Sequence, residues 1–186
     1  MRILLWHGYL LEGTGSNVYT RAIAREWQRA GHEVVVFCQE PHPERCDLEG
    51  AEVVRPELPD GLLPVFVLDR YEGVEAKLLQ DFSRAERERY VALNVTALCT
   101  QVPADLVFAN HVLMGAAVGY ASGMPFAVKA HGSELEYSMR GNEKLAALGR
   151  DCLAPAQAVF VGSAHIRNVP DRVLEGSRST STASRA

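Results

Sequence analysis

Near the start of the chain, two short apolar runs flank one amphipathic stretch. Ile3 to Trp6 is an apolar run of strand length, a helical pattern spans Asn17 to Ala30, and a β-branched run covers residues 33–38. Gly31 fits a cap at the carboxyl end of the helix. A helix between two buried strands predicts a right-handed βαβ unit, because parallel strands need such a crossover.

The same alternation continues further along the chain. Strands are predicted at Asp105 to Ala109, Phe126 to Ala130 and Ala158 to Val161, and helices at Val112 to Ser122 and Glu134 to Asp151. Strands that alternate with helices are typical of an α/β domain. The chain is therefore predicted to be a doubly wound, Rossmann-like domain with a mostly parallel sheet of about six strands.

The stretch between these two regions is less regular. Five prolines lie between residues 41 and 64, with two short strand-like pieces at Ala51 to Arg55 and Val65 to Leu68. Glu75 to Thr100 predicts one long helix, in which Arg84 to Arg89 is a solvated charge run. Substrate specificity is expected in this loop-rich stretch and its helix, because loops often carry it.

Length and composition indicate one packed domain. The chain has 186 residues, of which 47% are hydrophobic and 23% are charged, as in an average globular protein. Ser177 to Ala186 contains no large apolar side chain, and such a segment cannot offset its ordering entropy. We predict a domain over residues 1–176 and a disordered tail over residues 177–186.

Charge and cysteine spacing narrow the possible partners and location. The formal net charge is -4, and the basic residues are scattered, which argues against a nucleic-acid binder. The four cysteines show no C-x-x-C spacing, as expected in a reducing cytoplasm. No stretch approaches the roughly 18 to 20 apolar residues of a membrane span, so membrane association would be peripheral, at the inner face.

Candidate chemistry lies where the predicted strands end, since open parallel sheets bind ligands at the carboxyl ends of their strands. Before the first helix, Gly13, Thr14, Gly15 and Ser16 form a small-residue loop. Free N–H groups at a helix N-terminus favour a phosphate or another polar ligand. The spacing fits equally a flexible loop in which Ser16 or Asn17 is the helix N-cap.

Polar side chains also follow the later predicted strands: Asn110 and His111, His131 with Glu134, and Ser163 with His165. His131 is predicted to point into the crevice, either as a group that exchanges protons or as a satisfied structural residue. Glu134 falls in the first turn of a helix that Ser133 would cap, where a carboxylate complements the helix dipole. His7 follows the first strand in the same way.

Several common sites are absent from the sequence. Val18 occupies the third glycine position of a dinucleotide-binding G-x-G-x-x-G motif, and no Gly-Lys dipeptide of a phosphate loop occurs. The sequence lacks the G-x-S-x-G motif of the α/β-hydrolases. The histidines and cysteines lack the local spacing of a zinc site, so no metal is expected.

These residues resemble the amino-terminal domain of the family 4 glycosyltransferases, the retaining group with the GT-B fold. The resemblance covers about residues 1 to 166 and rests on Ile3-Leu4-Leu5, Gly13-Thr14-Gly15-Ser16-Asn17-Val18-Tyr19, Arg25-Glu26, Gly31-His32-Glu33-Val34, the segment from Lys129 to Tyr137, and Val161-Gly162-Ser163.

The resemblance implies one half of a two-domain enzyme that moves a hexose from a nucleotide-diphosphate sugar to a sugar, polyol or lipid-linked acceptor. It implies that His131 lies beside the transferred sugar and that Gly13 to Ser16 approaches the donor diphosphate or the acceptor. By their position at the strand ends alone, Asn110, His111, Glu134 and Ser163 are expected to line the acceptor-side cleft. The family's second, donor-binding domain has no counterpart here, so we expect little activity unless that domain is joined in cis or in trans.

Two other functions remain open at this stage. The chain could be a non-catalytic module that binds a sugar or a partner, including a second copy of itself. It could also be part of a nucleotide-linked dehydrogenase or epimerase, although the missing third glycine disfavours this reading.

Overall fold

The computed structural model describes residues 1–68, 71 and 73–162. The predicted domain boundary at Gly176, the predicted tail and the site residues Ser163 and His165 lie outside the described residues. In the described part of the chain, no helix combines the length and the apolar character needed to cross a membrane.

The strands of the described part are β1 (Arg2–Trp6), β2 (Glu33–Phe37), β3 (Glu52–Val54), β4 (Leu62–Val65), β5 (Glu75–Leu78), β6 (Leu106–Asn110), β7 (Phe126–Ala130) and β8 (Ala158–Val161). The helices are α1 (Gly15–Arg29), α2 (Arg84–Cys99), α3 (Gly115–Ala121), α4 (Gly132–Glu134) and α5 (Glu143–Leu153).

Six strands form one parallel sheet in the order β3-β2-β1-β6-β7-β8. The prediction of a doubly wound, mostly parallel sheet of about six strands is confirmed. The strand order reverses between β1 and β6, where Leu4 pairs with Val107. A crevice opens at such a point beyond the carboxyl ends of the strands, and it positions the site described below.

Alternate residues of β1 supply two separate cores on the two faces of the sheet. Leu4 and Trp6 pack in the core that contains buried residues of α2, α3 and α5. Ile3 and Leu5 pack in the core that contains α1. A parallel sheet covered on both faces needs apolar side chains in both directions, which explains the unbroken apolar run at residues 3–6.

The amino-terminal end of α1 differs from the prediction. The helix begins at Gly15, and the N-cap is Thr14, whose hydroxyl accepts from the backbone N–H of Asn17 at 3.4 Å. Ser16 and Asn17 are therefore inside the first turn. The prediction of either residue as N-cap is wrong, because the extended backbone of the cap position falls on Thr14.

The predicted long helix over residues 75–100 is also wrong. Its first residues form β5, which pairs in parallel with β4 as a second, two-stranded sheet, and Leu79–Asp81 is a short 3-10 turn. The helix α2 begins after Ser83, which forms a capping box with Glu86. The Ser-x-x-Glu signal was present in the sequence, whereas the pairing of β5 depends on a distant strand.

Two other predicted helices are shorter than expected. His111 and Met114 have positive φ angles of 74° and 26°, so the helix predicted from Val112 begins only at Gly115. The helix predicted over residues 134–151 divides into α4, a π-helical turn at Leu135–Met139, and α5. Gly141, with φ of 76°, lies in the break between them.

Candidate functional site

Three histidine rings lie in a row beyond the carboxyl ends of β1, β6 and β7. The ring centroids of His7 and His111 are 5.8 Å apart, and those of His111 and His131 are 4.7 Å apart. We call these three side chains the histidine row. Since each follows a different strand of one parallel sheet, the topology brings together residues that are far apart in sequence.

Aromatic side chains enclose the histidine row. Tyr9 and Phe66 pack on the ring of His111, with centroids 4.9 and 5.1 Å away, and Tyr19 lies 5.7 Å from His131. His111 is only 2% exposed, whereas His131 remains partly exposed. His131 is thus the member of this pair that a ligand in the crevice can reach more readily.

A chain of hydrogen bonds sets the orientation of the His131 ring. The Thr20 hydroxyl donates to the carbonyl of Ser16 at 2.8 Å, and the Asn110 amide nitrogen donates to the Thr20 oxygen at 3.0 Å. The Asn110 side-chain oxygen therefore faces His131 Nε2, 3.0 Å away. Because that oxygen can only accept, Nε2 carries the proton in the neutral ring.

His7 has a similar asparagine partner. Its Nε2 donates to the Leu10 carbonyl at 3.0 Å and to the Asn17 side-chain oxygen at 2.9 Å. The Asn17 amide nitrogen in turn donates to the carbonyl of Glu12. These bonds tie the end of β1 and the loop before α1 to the first turn of that helix.

Burial keeps the histidine row neutral near pH 7. It lowers the pKa of His7 to about 4 and that of His131 to about 3, and it holds the pKa of His111 well below its ordinary value. A neutral imidazole in the crevice can donate or accept a hydrogen bond. It is a poor general acid at neutral pH, because its conjugate acid is scarcely populated.

Glu134 lies behind the histidine row and is fully buried. Its carboxylate accepts backbone N–H bonds from Val112 at 2.7 Å, Leu113 at 2.9 Å and His131 at 3.1 Å. Burial raises its pKa to about 7, against the opposing effect of these three bonds. The prediction that Glu134 lies in the first turn of a helix is confirmed. Its carboxylate bonds to two loops and exposes no surface to an acceptor in this structure.

The prediction of Ser133 as the helix cap is wrong, because the N-cap position of α4 falls on His131. His131 has the extended backbone of a cap residue, with φ of -113° and ψ of 147°. The histidine is thereby placed at the junction of β7 and the following helix.

Lys129 adds a basic group at the same edge of the sheet. Its Nζ donates to the carbonyl of Ala130 at 2.8 Å and lies 5.4 Å from the centroid of the Tyr19 ring. Lys129 is 7% exposed, and desolvation lowers its pKa. The ammonium therefore contributes positive potential near the amino-terminal end of α1 from a mostly buried position.

The small-residue loop presents open backbone beside this edge. A Cβ added at Gly13 or Gly15 would meet no heavy atom within 4 Å, and the first turn of α1 contains no acidic residue. Both features leave room for an anion near the helix N-terminus. Gly13 has φ of 93°, a conformation that glycine adopts without strain.

The structure brings most of the predicted site residues to one edge of the sheet: Gly13, Thr14, Gly15, Ser16, Asn110, His111, His131 and Glu134. Sequence reasoning missed Tyr9, Thr20 and Phe66. Thr20 follows Ser16 by one helical turn, and this spacing was the available signal. Tyr9 and Phe66 lie in loops and carried no periodic signal.

Among the residues that the structure describes, no group of three or more histidine, cysteine, aspartate or glutamate side chains is placed to hold a metal ion. The members of the histidine row face one another through ring contacts, and hydrogen bonds engage Nε2 of the two outer rings.

The six-stranded parallel sheet with helices on both faces defines a Rossmann-like α/β domain. Residues 14–168 match the model of the glycosyl transferase 4-like domain. The chain belongs to this family of glycosyltransferase domains. A search of curated proteins finds no match to the chain.

Solved structures support the same fold. The chain is similar to sucrose-phosphate synthase from Thermosynechococcus elongatus, with 16% identity and a TM-score of 0.61 over 92% of this chain and 44% of that one. It is also similar to MurG of Acinetobacter baumannii, with 12% identity and a TM-score of 0.51 over 88% of this chain and 42% of that one. The chain thus spans less than half of each structure, as one half of a GT-B fold does.

Proposed function

We propose that this chain is the acceptor-side domain of a retaining glycosyltransferase. The enzyme would transfer a hexose from a nucleotide-diphosphate sugar to a sugar, polyol or lipid-linked acceptor, with a donor domain joined in cis or in trans. The observation that carries this proposal is the family match over residues 14–168. The strand-end position of the polar cluster agrees with it, because ligands of open α/β sheets bind there.

His131 is the proposed catalytic residue. Its ring is partly exposed, and Asn110 fixes its orientation through Nε2. Since burial holds its pKa at about 3, the ring acts in this proposal as a neutral partner to the transferred sugar. A neutral ring that is already oriented stabilises the transition state by hydrogen bonding, and no proton has to leave the ring first.

Gly13 to Ser16 is the proposed contact of the donor diphosphate or of the acceptor. Departure of a nucleoside diphosphate builds negative charge that must be stabilised. The amino-terminal end of α1 and the Lys129 ammonium favour negative charge at this edge of the sheet. Asn110, His111 and Ser163 are the proposed acceptor-side residues. Glu134 is fully buried behind them and is proposed to support them without contacting the acceptor.

We place the enzyme in the cytoplasm. Cys38, Cys46, Cys99 and Cys152 are all free thiols, which supports a reducing compartment. If the acceptor is lipid-linked, we propose that the enzyme also contacts the inner face of a membrane.

Calorimetric titration with UDP, GDP and their hexose conjugates tests the proposal. The chain is titrated alone and again after addition of a candidate donor domain, and sugar transfer to an acceptor panel is then measured in the mixture. We expect tight nucleotide-sugar binding and transfer only in the mixture. A chain that binds a sugar or a second copy of itself, with no transfer in any mixture, would instead be a non-catalytic binding module.

A further inference from the structure

We propose that Glu134 is a positioning residue that joins the loop of His111 to the loop of His131, and so keeps the two rings in contact. The catalytic consequence rests on the proposed function, whereas the structural coupling is tested independently of it. Glu134 touches no substrate in this proposal. It acts through the backbone of the two loops.

The geometry of the carboxylate supports this coupling. Oε1 accepts from Val112 N and from His131 N, and Oε2 accepts from Leu113 N. A carboxylate that only capped α4 would bond to the backbone of His131. The two bonds to the loop after β6 have no part in capping that helix. They connect the end of a second strand to the same carboxylate.

The loop after β6 needs such support. His111 has φ of 74° and Met114 has φ of 26°, and non-glycine residues in this region are strained unless their surroundings hold them. A Cβ added at Gly115 would lie only 2.0 Å from the carbonyl oxygen of Asn110, which shows how tightly the loop turns. The carboxylate binds the N–H groups of the two residues directly after His111.

Burial makes the three bonds important. Glu134 is 0% exposed, so bulk solvent does not reach its ionised form, which depends on its N–H donors. His111 Nδ1 lies 3.9 Å from Oε1, and neither nitrogen of that ring has a hydrogen-bond partner among the described residues. The His111 ring is therefore positioned by its backbone and by packing, and the carboxylate bonds to the backbone directly after His111.

Amide hydrogen exchange measured by NMR on the whole chain tests the coupling. Glu134→Gln keeps the side-chain shape but replaces one acceptor oxygen with a donor. Oε1 serves Val112 and His131 and Oε2 serves Leu113, so the new NH₂ group leaves at least one of these N–H groups without an acceptor. We expect exchange to accelerate by about tenfold or more at the amide or amides that lose their acceptor, and at the remaining amides with them because the two loops are coupled. The cross-relaxation signal between the His111 and His131 rings should weaken at the same time.

Glu136→Gln is the matched control. It makes the same chemical change two residues along, at a carboxylate that pairs with Arg140. Exchange at the three amides should be unchanged in this variant. If Glu134→Gln leaves exchange at both Val112 and Leu113 unchanged, Glu134 is an ordinary helix cap and the proposal is overturned.

A measurement without substitution covers the case in which Glu134→Gln does not fold. The titratable groups near the carboxylate are His111, His131, Lys129 and Tyr9. In a pH titration of the unmodified chain, the three amide signals should shift with one shared midpoint as Glu134 takes up its proton. Three different midpoints, or no shift at the two amides after His111, would overturn the coupling.

The transfer assay of the proposed function then separates the two claims. With the donor domain present, Glu134→Gln should lower kcat by about tenfold to a hundredfold with little change in the KM for the donor, as expected for a misplaced catalytic group. Unchanged kcat in an active enzyme overturns the positioning role. Absence of transfer by the unmodified protein counts against the proposed function and leaves the exchange result intact.

Discussion

His131 combines partial exposure with a fixed ring orientation, and this combination makes it the residue to change first. We expect His131→Ala, in the protein joined to its donor domain, to lower kcat by about 10²-fold or more. The free energy of unfolding should change by only about 1 kcal/mol, because the ring is partly exposed.

Enzyme kinetics and urea unfolding on the same preparations provide the measurement. His42→Ala is the control, since His42 is a partly exposed histidine outside the crevice whose Nδ1 lies near Glu44. If His131→Ala retains full turnover, His131 has only a structural role.

The protonated nitrogen of His131 gives a second prediction at the residue scale. Because Thr20 orients the Asn110 amide, Thr20→Val should free that amide to turn, and a population with the proton on Nδ1 should appear. Nitrogen-15 NMR of the ring distinguishes the two tautomers. Thr96→Val is the control, since Thr96 makes the same hydroxyl bond to the carbonyl four residues earlier on a helix but lies far from any histidine in the row.

A Thr20→Val spectrum identical to that of the unmodified chain would show that Asn110 keeps its orientation without the hydroxyl. Thr20 and Asn110 are 90 residues apart in sequence. Asn110 was a predicted site residue, but its partner was not, since no local pattern relates a threonine of the first helix to the end of a later strand.

At the scale of elements, the glycines that begin α1 and α3 differ in their surroundings. Gly15 and Gly115 are the first residues of α1 and α3. A Cβ at Gly15 meets open space, whereas a Cβ at Gly115 would lie 2.0 Å from the carbonyl oxygen of Asn110. The same substitution at the same helical position should therefore have different effects.

We expect Gly115→Ala to lower the free energy of unfolding by about 1–3 kcal/mol, because the loop after β6 must shift to admit the methyl group. Gly15→Ala should change it by no more than about 0.5 kcal/mol. Thermal or urea unfolding of both variants checks this. Equal effects would mean that the loop between β6 and α3 yields easily.

Gly15→Ala has a second use. Since it leaves the fold intact, any loss of nucleotide-sugar binding would report the close backbone approach that the proposed phosphate contact requires.

Elements were predicted well where local pattern and burial agree. The apolar runs of β1, β2, β6 and β7 were each recognised, because strands buried on both faces are apolar throughout. The edge strand β8 was recognised by its apolar run as well, although Val159 and Phe160 are exposed. The misassigned elements are those in which a local pattern competes with a distant partner. Residues 75–78 fit a helix but pair with β4, and the loop from His111 to Met114 fits a helix but is held by Glu134.

At the scale of the whole molecule, three neutral imidazoles are buried together. This predicts that the free energy of unfolding falls in acid. Unfolding restores the ordinary affinity of His7, His111 and His131 for protons, whereas the folded pKa values of His7 and His131 are about 4 and 3. Below about pH 6.5 the unfolded state therefore binds more protons, and the stability falls as the pH falls.

Glu134 opposes this trend. Its folded pKa of about 7 lies above its ordinary value of 4.5, so between these values the folded state holds the extra proton. Three histidines outweigh one carboxyl group. The net loss between pH 6.5 and 5 should be on the order of 2 kcal/mol per pH unit.

Urea unfolding at pH 7, 6 and 5 measures this loss. His131→Asn should reduce the slope by up to one proton, since that ring is unprotonated in the folded chain over this range and takes up a proton on unfolding. A free energy of unfolding that does not change over this range would contradict the burial of the histidine row.

The sequence by itself determined the fold class, the approximate strand number and the family. These follow from short-range patterns: apolar runs of strand length, helical periodicity, and small residues before the first helix. It also located the polar residues at strand ends, since parallel strands end at one edge of a sheet. Only the tertiary structure decided which of them meet. Glu134 is fully buried and bonds to amides 21 and 22 residues earlier in the chain, because packing of the strand-end loops removes its carboxylate from water and leaves backbone N–H groups as its partners.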